Sequence, residues 1–362
     1  MKKFDFAIGN PPYQQLQESN DTDNSKKNYA PPIYDQFIDA SYEVANRVEL
    51  IHPARFLFNA GSTSKAWNEK MLNDPHLKVL MYESDSNKIF PGLSSPIKGG
   101  LAVTYRDNNQ FFGPIQVFGQ YSDANSITHK VINDPSFVPL SEIIYSRTIY
   151  RLTESFHKDY PDARYREDEE GNSTGLLSKG HDYDMASNIF ERIPMAFHDT
   201  KPNDKHQYIK IIGRIDNQRV YKFIRRDYVS EVDNLDYFKV LLPQATGTGI
   251  FGETFSNPFV EGPGVGNTET FISFGKYLSK DDAEANAKYL KTKFARLLLG
   301  MLKVTQNGNK PVWRLIPLQD FSSKSDINWN TSIHEIDLQL YKKYNLTTDE
   351  IDFIETHIQE MK

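Results

Sequence analysis

Four consecutive residues near the start of the chain, Asn10-Pro11-Pro12-Tyr13, carry the groups best suited to chemistry. The two prolines fix their φ angles and donate no N–H, so the Asn10 side chain, the adjoining carbonyls and the Tyr13 ring form a stiff array. Such an array suits gripping an amino group under an aromatic plate. An element must hold it. Phe4, Phe6 and Ile8 alternate with polar or small residues until Gly9, which predicts a short buried strand ending at a turn, with the reactive groups on that turn.

Composition narrows the possible chemistry. The absence of cysteine excludes disulfides, thiolate metal sites and a cysteine nucleophile, and fits a reducing cytosol. Nine histidines are scattered without metal-ligand spacing, so no metal is expected. No apolar leader and no apolar run near the length of a membrane span is present, and the expectation is a cytoplasmic protein without a membrane partner. A net charge of −6 argues against coating nucleic acid nonspecifically, since that mode needs many cations, but leaves room for a local basic groove.

Stepping along the chain, a polar loop is expected from Gln14 to Pro32. A helix from Ile33 to Asn46 and a buried strand from Val48 to Pro53 follow. A second helix, capped by Ser62 or Ser64 and running to Leu72, leads to a strand over Lys78–Tyr82. Gly99–Tyr105 and Phe111–Gly119 read as two strands joined in a hairpin through Arg106–Gln110. This alternation predicts an α/β layer fold over residues 1–136. Beyond it the texture changes, and residues 137–362 are expected to form a second, α+β domain. That domain should include a strand at Tyr208–Gly213, a long helix over Ser279–Val304 and a strand at Lys310–Pro317. A last helix should start at Thr347 with a capping box to Glu350.

Asn-Pro-Pro-Tyr after a hydrophobic strand resembles the catalytic motif of DNA methyltransferases that modify exocyclic amino groups, chiefly adenine N6. By chance the tetrapeptide would occur in about one such chain in a thousand. The resemblance continues through Tyr34–Ala40 and Leu50–Leu57, and through Ile89-Phe90-Pro91 before the Gly99–Val103 strand. It extends to Trp313–Pro317 and Ile336–Tyr344, which are similar to the tails of type II restriction–modification adenine methyltransferases. It implies that residues 1–136 are the C-terminal half of a Rossmann-like methyltransferase sheet and that 137–362 are a target-recognition domain for double-stranded DNA. It implies roles as well. The Asn10 side-chain oxygen and the Pro11 carbonyl accept the two amine hydrogens, with Pro12 stiffening the turn. Tyr13 and Phe90 stack on an adenine flipped out of the duplex, and S-adenosylmethionine donates the methyl group. In the second domain Arg214, Arg219, Lys222, Arg225 and Arg226, interleaved with Tyr221, Phe223 and Tyr228, suit phosphate contacts and base-edge readout, with Arg147 and Arg151 a weaker set.

One departure from the family stands out. Its methyl-donor site lies on earlier strands, with a glycine turn and an acidic strand end, and these have no counterpart before Phe4. The expectation is therefore a truncated or split enzyme, inactive alone, whose donor site lies largely in an N-terminal half or separate subunit. In a circularly permuted alternative, Thr246-Gly247-Thr248-Gly249-Ile250-Phe251-Gly252 would be the donor turn, though no helix is expected after it. A noncatalytic DNA-recognition subunit or remnant is the other reading. Asp199-Thr200-Lys201 and Glu360-Met361-Lys362 are the acidic-x-Lys pairs that could serve a fused nuclease, but the first lacks a convincing strand and the second is at a fraying end, so no nuclease is expected.

Overall fold

In the computed structural model, which describes residues 2–14, 31–92 and 96–361, the chain is a mixed α/β protein with several sheets. It forms two compact units, residues 1–129 and 130–362. Most of the loop expected from Gln14 to Pro32 lies outside the described residues.

The first unit is built on a four-stranded sheet of β1 (Phe4–Gly9), β2 (Ala45–Pro53), β3 (Leu77–Glu83) and β4 (Leu101–Asp107), in the order β1-β2-β4-β3. β1 and β2 run parallel, with Ala7 opposite Val48 and Gly9 opposite Leu50. β4 lies antiparallel to both β2 and β3. The crossover between the parallel strands includes α1 (Tyr34–Val44), and α2 (Lys65–Leu72) follows β2, its Ser64 hydroxyl accepting from Trp67 N at 3.2 Å. Ile38 of α1 and Met71 of α2 pack with Val48, Leu50, Phe56 and Ala102 in a single core on one face of the sheet.

Among the described residues the opposite face of β1 is exposed. β1 is a strand as expected, but it is not buried: Phe4, Phe6 and Ile8 are 58, 46 and 74% exposed. The reason is topological, since β1 is an edge strand with β2 as its one neighbour, and the core of this unit collects on the Ala7 side. The register sets Phe6 and Ile8 beside Arg47 and Glu49, then Asp107 and Tyr105, with the Phe6 and Tyr105 rings 6.3 Å apart. Met81, paired with Val103, adds a further exposed apolar side chain.

Other expectations are corrected. The residues after Val44 join β2 rather than α1, because Ala45 and Arg47 are drawn into register with Phe4 and Phe6. The Phe111–Gly119 strand does not form, so there is no hairpin: the Phe112 and Gly113 N–H groups both donate to the Pro75 carbonyl, at 2.7 and 3.1 Å, Pro114 has no donor, and Gln116 takes a left-handed φ of 53°. The antiparallel pairing of the sheet comes from β4 instead. α3 (Ser86–Ile89) is a single turn after β3, and α4 (Ser122–Ile132) closes the unit.

The second unit begins with β5 (Ile144–Tyr145), α5 (Glu154–Asp159) and α6 (Ile189–Arg192). A hairpin of β6 (Tyr208–Ile215) and β7 (Gln218–Arg225) turns on Asp216 and Asn217, at φ 50° and 61°. β8 (Phe238–Pro243), β9 (Phe259–Glu261), β10 (Val265–Asn267) and β11 (Phe271–Tyr277) follow. They complete one sheet of order β10-β6-β7 and another of order β5-β11-β8-β9. The long helix expected over Ser279–Val304 is broken into α7 (Lys280–Lys291) and α8 (Lys293–Gly300). Thr292 leaves the helical region, its hydroxyl accepts from Ala295 N, and the Asp337 carboxylate accepts from Lys293 N and Phe294 N at 3.0 and 2.9 Å, so a new helix start is satisfied there. The Lys310–Pro317 strand is replaced by a 3-10 turn over Lys310–Trp313 with proline in its first turn. α9 (Ile333–Lys343) precedes α10 (Thr348–His357), which starts with the Thr347–Glu350 capping box.

A buried lysine ties this unit together. Lys239 on β8 is fully enclosed, and its Nζ donates to the carbonyls of Leu235, Tyr237, Gly262 and Val265 at 2.8–3.2 Å. Burial pushes its pKa down to about 8, although the carbonyl cage still suits the ammonium ion. Lys239→Met removes the ammonium donor from four inward carbonyls, of which Leu235 keeps the Gly264 N–H, and should cost about 3 kcal/mol, read as a lower denaturant midpoint. An unchanged midpoint would show that the cage is not a structural tie.

Candidate functional site

The register of the first sheet gathers its site at one end. β1, β2 and β3 all point the same way, and Pro53 and Glu83 both align with Leu101 at the start of β4. The segments after β1, β2 and β3 and the segment before β4 therefore share one edge, the carboxyl ends of three strands. Ligands of open α/β sheets collect at such an edge.

Asn10 and Pro12 are exposed, Pro11 is half-buried, and the Asn10 amide has no partner among the described residues, which leaves it free to meet a ligand. Tyr13 is fixed more firmly. Its carbonyl accepts from Ile33 N at 3.2 Å, its ring packs on the core of the unit, and its hydroxyl is enclosed with no hydrogen-bond partner. Burial pushes its pKa up to about 12, so near neutrality it is a neutral aromatic surface and not a base.

Phe90 stands half-buried at the end of α3, whose Ser86 carbonyl accepts from Phe90 N at 2.9 Å. β1 and β3 are the two edge strands, so their ends lie three strand spacings apart, about 14 Å. Ile97 N donates to Ser86 Oγ at 2.8 Å, and Ala54 N donates to the Gly100 carbonyl at 3.0 Å. Gly100, at φ 77°, allows a close approach to the end of β3, because a Cβ there would fall 2.3 Å from the Glu83 carbonyl oxygen.

Arg55, to which the spacing of residues assigned no role, also stands at this edge. It opens the 3-10 turn after β2, its side-chain stem lies against Gly61 and Gly99, and it pairs with no carboxylate among the described residues. Beneath it His52 is enclosed between Tyr34 and Phe56. Its Nδ1 donates to the Pro53 carbonyl at 3.1 Å, so Nε2 accepts from the Thr104 hydroxyl at 2.7 Å, and one neutral tautomer is fixed.

In the second unit the predicted DNA-contacting cations separate into two groups. Arg225 is held by Asp159 and Asp227 at 2.9 and 2.6 Å, Arg226 by Asp236 and Glu231 at 2.6 and 3.3 Å, and Lys222 by Asp199. Arg147 and Arg151 pair with Glu269 and Asp184. Asp227, Glu231 and Asp236 lie within ten residues of the arginines they hold, while Asp159 and Asp199 come from earlier segments, and together they neutralise a stretch that reads as strongly basic. Arg214 and Arg219 pair with no carboxylate among the described residues. They lie directly opposite one another on the β6–β7 hairpin, with the Arg219 guanidinium 3.8 Å from the Phe259 ring centroid.

The glycine loop at 246–252 does not fit a methyl donor. Its Thr248 and Gly249 N–H groups donate to the Glu253 carboxylate at 2.6–2.8 Å, and Lys303 approaches the same carboxylate at 3.3 Å. An internal anion thus fills the place an external one would need, and the next regular element is β9 rather than a helix. Among the described residues no group of three His, Asp or Glu side chains is placed to hold a metal, and no helix is long and apolar enough to cross a membrane.

His52 supplies a test of this packing. Burial holds its pKa at about 4 against an ordinary 6.5, so the unfolded chain binds the extra proton first and stability falls as the pH drops from 6.5 toward 4. The expected loss from this group is about 3 kcal/mol. His52→Gln, which can keep both hydrogen bonds, should lose correspondingly less stability between pH 7 and pH 4.5 in denaturant titrations. Equal acid sensitivity in the two proteins would contradict a buried neutral His52.

Residues 1–90 match the family model described as Eco57I restriction-modification methylase, about a quarter of the chain. That stretch contains β1, the Asn-Pro-Pro-Tyr turn and Phe90, and it supports a likeness to the restriction–modification methylases. A search of curated proteins finds no match. Among solved structures the chain is similar to the type IIG restriction endonuclease BpuSI, with 10% identity, a TM-score of 0.32 and coverage of 97% of this chain and 52% of that one. It is also similar to the type IIL restriction-modification enzyme MmeI in complex with DNA, with 10% identity, a TM-score of 0.31 and coverage of 98 and 56%. The chain spans about half the length of these two proteins.

Proposed function

We propose that the chain supplies the amine-gripping and DNA-reading parts of a restriction–modification methyltransferase specific for adenine N6, and that a donor-binding part completes it on the open side of β1. The observation that carries this reading is the Asn-Pro-Pro-Tyr turn at the carboxyl end of a parallel edge strand whose outer face is apolar and exposed among the described residues. The match of residues 1–90 to a restriction–modification methylase supports it. Residues 1–136 are then half of a Rossmann-like catalytic sheet, and 137–362 the target-recognition domain.

The residues of this chain act on the target base. An adenine amine is a weak nucleophile because its lone pair is delocalised into the ring. Two acceptors on its hydrogens, Asn10 Oδ1 and the Pro11 carbonyl, favour a localised lone pair and orient it. Tyr13, neutral and held by the packing of its ring on the core of the first unit, offers a stacking surface that offsets the unstacking of a flipped base, with Phe90 as its proposed partner. S-adenosylmethionine supplies the methyl group in this class of enzyme. The glycine loop at 246–252, closed by the Glu253 carboxylate, does not fit it, and we assign its pocket to the completing part.

The test is co-expression of the chain with a donor-binding methyltransferase half as a second polypeptide, in a host without adenine methylation, followed by single-molecule sequencing of host DNA. The expected outcome is N6-methyladenine at one sequence motif. Asn10→Ala should reduce it by about 100-fold or more, as losing a positioned catalytic hydrogen bond does. Phe6→Glu, which places a charge on the open face, should abolish it by preventing assembly. Retained methylation with Asn10→Ala would refute the catalytic assignment. DNA binding with no methylation by any completed pair would favour the noncatalytic recognition subunit.

A further inference from the structure

We propose that Arg214 reads a base, and that the cleft around it takes the major-groove edge of a G·C pair in duplex DNA. This rests on the DNA-recognition reading above and assigns it to one side chain.

The β6–β7 hairpin ends in an exposed two-residue turn, Asp216-Asn217, and a two-stranded ribbon of this kind has the width of the major groove. Arg214 and Arg219 face each other across the ribbon just inside that turn, on the same side of it. Like charges set opposite one another destabilise a hairpin, so the pair invites an external acceptor. Arg219 has an alternative in the Phe259 ring, whereas Arg214 has none: its Nε is enclosed and makes no hydrogen bond. Arg214 lines a cleft of about 450 Å³ together with Arg147, Glu191, Asn217, Gln244 and Glu269.

The lining decides between a phosphate and a base. Glu269, paired with Arg147 at 3.6 Å, and the exposed Glu191 would repel a phosphate. A base pair edge presents both acceptors and donors, and these residues complement it. The guanidinium fork suits the O6 and N7 acceptors of guanine, while a carboxylate suits the N4 donor of the paired cytosine. Lys222, Arg225 and Arg226 are less suited, since each would have to give up a carboxylate to bind DNA.

Selection of randomised duplexes by the full chain, read by sequencing, tests the inference. The wild type should enrich a motif containing guanine. Arg214→Ala and Arg214→Lys should each weaken the preference for guanine at one position by about tenfold or more while keeping the remaining positions. Arg166→Ala, which removes an exposed cation paired with Asp162, should leave the motif unchanged. Thermal melting establishes that the variants fold, and the lysine variant, which keeps the charge but loses the fork, decides the matter if the alanine variant does not. A full motif retained by Arg214→Lys would overturn the assignment of Arg214 alone. A wild type that enriches no motif would overturn the DNA-recognition reading and this inference with it.

Discussion

A parallel strand pair in an α/β sheet is stable in water only when something covers both of its faces, and here one face is covered. α1 and α2 pack on the Ala7, Val48 and Leu50 side of the first sheet, and among the described residues the Phe4, Phe6 and Ile8 side is exposed along a strand that pairs on one edge with β2. Covering the exposed parts of those three side chains would contribute on the order of 4 kcal/mol. An apolar strand in this position marks an interaction surface or an aggregation hazard. The open surface adjoins the Asn-Pro-Pro-Tyr turn, so whatever covers it is placed beside the residues that would hold the amine.

The same principle, that a strong group needs a partner, separates the cations of the second unit. Arg225 and Arg226 spend their hydrogen bonds on Asp159, Asp227, Asp236 and Glu231, and Lys239 spends its own on four carbonyls. The Glu253 carboxylate closes the glycine loop in the same way, which removes the one glycine turn considered for a donor in this chain. What stays unsatisfied among the described residues is informative: the Tyr13 hydroxyl and the Arg214 Nε, both enclosed without a hydrogen bond.

Features set by short stretches were legible in the sequence. The alternation of Phe4, Phe6 and Ile8 marks a strand, Ser64 caps α2, and Thr347 and Glu350 form their capping box, because each depends on residues within a turn or two. Features set at a distance were not. The exposure of β1 depends on which strands flank it, and alternation alone carries no information on that. The break at Thr292 needs the Asp337 carboxylate, and the failure of Phe111–Gly119 to form a strand needs the Pro75 carbonyl. Arg55 and the cleft around Arg214 likewise assemble from separate segments, with no spacing to announce them. The tetrapeptide stands out in the sequence because the groups of its proposed chemistry are compressed into four residues.

The central proposal is that this chain supplies the amine-gripping part of an active site and that another part supplies the donor pocket. Calorimetric titration of S-adenosylmethionine into the isolated, folded chain tests it most directly. The account predicts no saturable heat at micromolar concentrations. Stoichiometric binding with a micromolar or tighter Kd would contradict it.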